Sequence, residues 1–80
     1  MITLYSTSGC HLCEQAYQLL TQANIADPIT IADIAFDDEL FSRYGVTIPV
    51  VACQGVELNW PFDFNELTQW LENNGINYHS

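Results

Sequence analysis

Two cysteines with two residues between them, in the segment Cys10-His11-Leu12-Cys13, are the residues of this sequence best suited to chemistry. If a helix begins at this segment, a spacing of three positions brings both sulfurs to one face, close enough to form a disulfide. The unpaired N–H groups and positive dipole end of such a helix stabilise a thiolate. We therefore expect a redox-active dithiol in which Cys10 is the outer, attacking sulfur and Cys13 the resolving thiol. His11 is expected to tune it through a positive charge or a hydrogen bond.

The flanking sequence predicts the elements that position this dithiol. Residues 2–6 alternate apolar and polar side chains, which indicates a strand, and a polar turn leads from it to the cysteines. Apolar residues at helical spacing then predict a helix from Leu12 to about Asn24. Asp27-Pro28 breaks this helix, and β-branched residues from Ile29 predict a second strand that reaches about Ile34. This β-α-β unit implies two parallel strands with a right-handed crossover.

The second half of the chain predicts one more strand pair and two more helices. A short helix is expected from Asp37 to Gly45, a β-hairpin from Pro49–Cys53 and Val56–Leu58, and a helix from Asp63 to Asn73, with a tail over residues 76–80. The order β-α-β-α-β-β-α predicts an α/β fold with one mixed sheet covered by helices. At 80 residues, we expect a single domain over residues 1–80.

Composition and charge exclude several classes of function. The chain is 49% hydrophobic and contains one Lys or Arg against ten Asp and Glu, for a net charge of −9 that repels nucleic acids and anionic lipids. Nothing in the sequence approaches the ~18 consecutive apolar residues of a membrane span. Three cysteines, two of them three positions apart, favour a reducing compartment over a secreted disulfide scaffold. We therefore expect a cytoplasmic monomer that binds neither nucleic acid nor membranes.

The first strand, the Cys10–Cys13 segment opening a helix, and Thr47-Ile48-Pro49 opening the third strand together resemble the glutaredoxin branch of the thioredoxin superfamily. The resemblance implies a four-stranded thioredoxin-like sheet in the order 2-1-3-4, with helices 1 and 3 on one face and helix 2 on the other. It also implies a cis Ile48–Pro49 bond facing Cys10, with the backbone of Ile48 pairing with the incoming cysteinyl group. The implied activity is thiol–disulfide exchange.

The sequence departs from the pattern of that family where glutathione would bind. Typical glutaredoxins carry a Lys before the motif and a Gly-Gly pair after the fourth strand, whereas this sequence has Ser8-Gly9 and Asn59-Trp60-Pro61 there. We therefore expect weak or no glutathione binding, and a protein client with basic residues beside its disulfide or thiol. Arg43, the single side-chain cation besides histidine, is either a solvated helix residue or an anion clamp. Trp60 is expected to line a groove beside the motif.

Three other interpretations remain open at this stage. The first is a non-catalytic binding module on the same fold, which the missing Lys and the unusual His-Leu pair favour. The second is a zinc site, for which Cys10, His11, Cys13, Cys53 and His79 supply ligand types. The third is an iron–sulfur cluster that two chains share through Cys10. We expect no metal and no cofactor, and we expect Cys53 to be a small buried hydrophobic residue and Phe62 to lie in the core.

Overall fold

Four β-strands and three α-helices form the part of the chain that the computed structural model describes, residues 2–25 and 28–76. In chain order they are β1 (Ile2–Ser6), α1 (His11–Ala23), β2 (Ile29–Asp33), α2 (Asp38–Tyr44), β3 (Val50–Cys53), β4 (Val56–Asn59) and α3 (Phe64–Asn73). The predicted order of elements is confirmed. The predicted helix break at Asp27 and the tail beyond Ile76 lie outside the described residues. Within the described ranges, no helix has the length and hydrophobicity needed to cross a bilayer.

The strands form one mixed sheet with β1 near its centre. β1 runs parallel to β2, with Leu4 opposite Ile31, and antiparallel to β3, with Leu4 opposite Val51. β4 pairs with β3 as an antiparallel hairpin, which completes the order β2-β1-β3-β4. The predicted fold class and strand order are therefore confirmed. The parallel β1–β2 pair is joined through α1, as a β-α-β crossover requires.

Different helices cover the two faces of this sheet. Successive side chains of a strand point to opposite faces, and those of β1 divide between two hydrophobic clusters. Leu4 belongs to the larger cluster, which includes Leu20 of α1 and Leu67 of α3. The smaller cluster, on the other face, contains Tyr44 of α2 and Val50 of β3. Burial of each leucine contributes about 1.5–3 kcal/mol. α1 and α3 thus hold one face of the sheet together, while α2 covers the other.

The ends of the longer helices follow from residues within one turn. The Asp63 carboxylate accepts a hydrogen bond from the Glu66 N–H at 2.7 Å, and the Glu66 carboxylate accepts one from the Asp63 N–H at 3.4 Å. This is the capping box that the sequence predicts for α3. α1 ends at Asn24, whose φ of 53° is left-handed and whose N–H donates to the Thr21 carbonyl at 3.1 Å.

Three strand boundaries differ from those predicted. β3 begins at Val50, one residue after the predicted Pro49. β2 ends at Asp33, because the Asp33 carboxylate accepts a hydrogen bond from the Ala35 N–H at 2.9 Å and caps a single 3₁₀ turn over Ile34–Phe36. That turn directs Ile34 into the cluster beneath α2 instead of extending the strand. β4 continues one residue beyond the predicted Leu58, because Asn59 remains paired with Val50.

Candidate redox site

Cys10 and Cys13 lie where β1 passes into α1, as the sequence predicts. Cys10 is the N-cap of α1 and has extended backbone angles, whereas Cys13 lies within the first turn. Their Cα atoms are 5.2 Å apart and their sulfurs are joined by a disulfide. This separation is typical of disulfides. The spacing of the two Cα atoms therefore suits a disulfide within this segment.

The two sulfurs differ in exposure and in hydrogen bonding. Cys10 is half-buried, while Cys13 is only 5% exposed and lies on the buried face of α1. The Cys13 N–H donates to the Cys10 Sγ at 3.1 Å, so the outer sulfur takes up one of the free N–H groups of the helix end. Cys10 is therefore the more accessible of the two cysteines, and the helix end stabilises negative charge on its sulfur.

His11 contacts a carboxylate of its own helix. Its side chain is 91% exposed, and its Nδ1 lies 3.8 Å from the Glu14 Oε2, whose side chain is 72% exposed. Such a pair, three positions apart on one helix, interacts weakly because water screens both groups. The tuning role expected for His11 therefore stays a prediction, and Glu14 enters as a charged neighbour of the dithiol that sequence reasoning did not single out.

The Thr47–Pro49 loop is held between α2 and β4. The Thr47 hydroxyl and the Ile48 N–H both donate to the Tyr44 carbonyl, at 3.3 and 3.2 Å, and the Pro49 carbonyl accepts from the Trp60 N–H at 3.2 Å. The Ile48–Pro49 peptide bond is cis. Because Tyr5 lies opposite Val50 in the β1–β3 register, the loop lies at the end of β1 that leads to Cys10. The loop and the dithiol therefore share one end of the sheet.

Arg43 lies in the last turn of α2, beside an aromatic pair. Its guanidinium carbon is 5.5 Å from the centroid of the Tyr44 ring, a cation–π contact. Tyr44 stacks on Tyr5, with ring centroids 4.3 Å apart, and its hydroxyl donates to the Glu57 carboxylate. This hydrogen bond and burial raise the pKa of Tyr44 to about 12. Arg43 is exposed and makes this ring contact, and its role as an anion clamp stays a prediction.

Trp60 packs towards the core. It is half-buried against the cluster beneath α1 and α3, and its ring meets the edge of Phe62 at a centroid distance of 5.0 Å. The Trp60–Pro61 bond is also cis, a feature that the sequence analysis did not anticipate. The structure does not bring Trp60 into the cavity beside the dithiol. Phe62 and Cys53 are buried, at 5% and 7% exposure, as predicted.

A cavity of about 440 Å³ adjoins the disulfide on the side of β2. It lies between α1 and the β1–β2 pair, and its walls include Ser6, Cys10, Cys13, Glu14, Tyr17 and Ile31. Sequence reasoning missed Tyr17 and Ile31 as site residues. The sequence could have indicated Ile31, because β2 is an edge strand and an apolar residue on an edge strand has no neighbouring strand on one side to cover it.

The described residues show no group of three His, Cys, Asp or Glu side chains arranged as metal ligands. Of the ligand types considered for zinc, Cys10 and Cys13 are joined in the disulfide and Cys53 is a separate buried thiol. Cys53 lies at the far end of β3 from the Thr47–Pro49 loop. His79 lies outside the described residues.

Two solved structures resemble this chain in sequence and fold. The X-ray structure of Northeast Structural Genomics target protein XcR50 from X. campestris is 42% identical to it, with a TM-score of 0.85 over 91% of this chain and 97% of that one. The solution structure of the same target is 42% identical, with a TM-score of 0.80 over 90% of this chain and 92% of that one. Comparison with curated proteins returned no match.

The family comparison agrees with the geometry of the dithiol. The close Cys10/Cys13 pair at the start of α1, in a thioredoxin-like sheet, fits a thiol redox role. The model of the Glutaredoxin-like domain (DUF836) matches residues 1–72, nearly the whole chain. The chain therefore belongs to the glutaredoxin-like domain family.

Proposed function

We propose that this protein is a thiol–disulfide oxidoreductase in which Cys10 attacks and Cys13 resolves. The observation that carries the proposal is the asymmetry of the pair: a half-buried outer sulfur at the N-cap of α1 is bonded to an inner sulfur that is 5% exposed. This difference in exposure suits thiol–disulfide exchange, because one sulfur must be accessible to the client while the second lies next to it and resolves the mixed disulfide.

The reaction begins from the reduced dithiol. The Cys10 thiolate attacks one sulfur of the client's disulfide, the client's S–S bond breaks, and the departing thiolate takes up a proton. Cys13 then loses its proton and attacks the Cys10 Sγ. The Cys10–Cys13 disulfide forms, and the second client sulfur leaves as a thiolate and is protonated. Two electrons pass from the dithiol to the client, and the Cys13 N–H at 3.1 Å from Sγ stabilises the attacking thiolate.

Docking of the client is assigned to the Thr47–Pro49 loop, which lies at the same end of the sheet as the dithiol. The Ile48 N–H already donates to the Tyr44 carbonyl within the chain. We therefore assign docking to the carbonyl oxygen of Ile48, as an acceptor for a backbone N–H of the client. The resemblance implies that the backbone of Ile48 pairs with the incoming cysteinyl group, and we assign that pairing to its carbonyl oxygen, because its N–H is bonded within the chain.

The preferred client is a protein disulfide with basic residues beside it, and glutathione is a poor one. The net charge of −9 repels the glutathione anion and attracts a basic surface. The loop between β1 and Cys10 is Thr7-Ser8-Gly9, without a cation. Arg43 lies on α2 with its guanidinium beside the Tyr44 ring. Each absent charge-assisted hydrogen bond removes roughly 1.5–3 kcal/mol of glutathione binding. A reducing cytoplasm fits a dithiol that must be returned to its reduced form.

Exchange with a disulfide-bonded peptide that carries lysines beside its cysteines tests this function. We expect wild type to reduce the peptide and to accumulate its own disulfide, as measured by alkylation and mass spectrometry. Cys10→Ser should abolish exchange, whereas Cys13→Ser should stall as a mixed disulfide through Cys10. Cys53→Ser is the matched control, because this buried thiol lies at the far end of β3.

Two results would count against the proposal. A dithiol that never exchanges with disulfides would support the non-catalytic binding module instead. Glutathione-coupled turnover as efficient as that of an ordinary glutaredoxin would overturn the preference for a protein client while keeping the oxidoreductase assignment.

A further inference from the structure

The cavity beside the disulfide lies on the opposite flank of the site from the docking loop. In the sheet order, β2 and β3 lie on either side of β1, which leads into Cys10. The Thr47–Pro49 loop precedes β3, whereas the cavity is bounded by Ile31 of β2 and by α1. A client chain that docks at Ile48 and presents its cysteine to Cys10 therefore continues towards this cavity.

The lining of the cavity suits a long aliphatic side chain. Leu4 forms part of its apolar lining, and the partly exposed Tyr17 and Ile31, at 44% and 54% exposure, flank it. Its volume of about 440 Å³ lies within the range of small binding pockets. Tyr17 and Ile31 are apolar surfaces left open to water next to a reactive disulfide. An extended aliphatic stem laid between them would remove both surfaces from water.

The charge of the cavity lining favours a cationic group at the end of that side chain. Glu14 is the acidic residue of the lining and is 72% exposed, and no Lys, Arg or His is among the lining residues that the structure describes. The other polar side-chain oxygens of the lining belong to the Gln18 amide, the Tyr17 phenol and the hydroxyls of residues 6–8, and all of them can act as acceptors. Lysine and arginine bury an aliphatic stem while keeping a charged head near water. A glutamate side chain in the client would meet repulsion from Glu14.

We propose that this cavity is a specificity pocket for a lysine or arginine within two residues of the client's reactive cysteine, with the stem between Tyr17 and Ile31 and the cationic head at Glu14. This inference rests on the proposed function, because it names the sequence context of the same client. His11 does not lock Glu14 in place, since the two side chains are both largely exposed at 3.8 Å separation. Glu14 can therefore turn to the incoming cation.

Three disulfide-bonded peptides that differ only in the residue after the cysteine test the pocket. That residue is lysine, its uncharged analogue norleucine, or glutamate. We expect kcat/KM with lysine to exceed that with norleucine about two- to five-fold, the size of a screened ion pair, and glutamate to be the slowest. In Glu14→Gln the ratio of lysine to norleucine should fall towards one. Glu39→Gln is the matched control, because it removes the same charge from an exposed position on α2 and should leave the ratio as in wild type.

The apolar walls are tested by Ile31→Ser, at a position 54% exposed and therefore tolerant of substitution. It should lower kcat/KM for lysine and norleucine alike while keeping their ratio. Equal rates for all three peptides in wild type, or an unchanged ratio in Glu14→Gln, would overturn the pocket and leave the oxidoreductase assignment standing.

A binding measurement separates failure of the pocket from failure of the proposed function. The same peptides with serine in place of cysteine cannot exchange, and their affinities are measured by NMR titration of the oxidised protein. We expect tighter binding of the lysine peptide, with shifts at Tyr17 and Ile31. A lysine preference in binding without any disulfide exchange would overturn the proposed function but support the pocket. Absence of that preference in binding would overturn the pocket.

Discussion

The hydroxyl of Tyr44, at the end of α2, donates a hydrogen bond to the carboxylate of Glu57 on β4. The bond joins residues 13 positions apart and ties α2 to the sheet edge formed by β4. Tyr44 is buried and stacks on Tyr5 of β1. A helix of seven residues is thus anchored to two strands by one side chain.

This hydrogen bond predicts how stability changes at alkaline pH. Glu57 and burial raise the pKa of Tyr44 from 10.0 to about 12, so the folded state favours the neutral phenol. The resulting stability is fully present below pH 10 and is lost as the pH rises from 10 through 12. The chain has no lysine, which leaves few other groups that titrate in this range. Urea unfolding at a series of pH values from 10 to 12 should show the free energy of unfolding falling.

Tyr44→Phe provides the control for that titration. It should cost about 1 kcal/mol at neutral pH, because one hydrogen bond is lost. It should also reduce the alkaline loss of stability and remove the tyrosinate step near pH 12 from the absorbance titration. A wild-type Tyr44 that ionises together with exposed tyrosines would contradict the assignment.

The asymmetry of the dithiol predicts the order in which the cysteines are alkylated. In the reduced protein, iodoacetamide should modify Cys10 before Cys13 and Cys53 at neutral pH, because Cys10 is the more exposed and accepts the Cys13 N–H. Peptide mapping after short reaction times measures each rate. Equal rates at the three thiols would exclude Cys10 as the nucleophile.

The capping box of α3 predicts a local contribution to stability. Asp63→Ala removes the acceptor for the Glu66 N–H and should lower the free energy of unfolding by about 1 kcal/mol. Asp63→Asn keeps an acceptor at the N-cap and should cost much less. Chemical denaturation measures the free energy of unfolding of both variants and of wild type. An equal loss in both would assign the effect to charge and not to capping.

Salt should slow exchange with a basic client. The net charge of −9 attracts such a client over distances of about the Debye length, ~10 Å at 0.1 M salt. Stopped-flow measurement should show the association rate falling as salt is raised. A client of the same disulfide geometry but with acidic flanks is the control, and its rate should rise or stay constant. A salt-independent rate with the basic client would show that charge does not guide the encounter.

Features that depend on neighbouring residues could be predicted from the sequence. The position of the Cys10–Cys13 segment at the start of α1 and the reciprocal bonds of Asp63 and Glu66 each involve groups at most three residues apart. The predicted start of this helix at Leu12 is one residue late, because α1 begins at His11 with Cys10 as its N-cap. Their geometry is set by the helix itself, so residue types and spacing are sufficient. The strand order followed from a resemblance that covers nearly the whole chain, and the structure confirms it.

Other features were decided by contacts between distant segments. The cavity exists because the β1–β2 register places Ile31 beside Leu4 under α1, at a sheet edge where no further strand fills the space in the described structure. Trp60 packs against Phe62 and the cluster beneath α1 and α3, a contact between segments that are distant in the chain. Residue types and spacing were thus sufficient to place the dithiol at the start of α1 and to identify the more exposed cysteine. The surroundings of its sulfur could not be predicted in the same way, because packing depends on side chains that the fold brings together from distant parts of the chain.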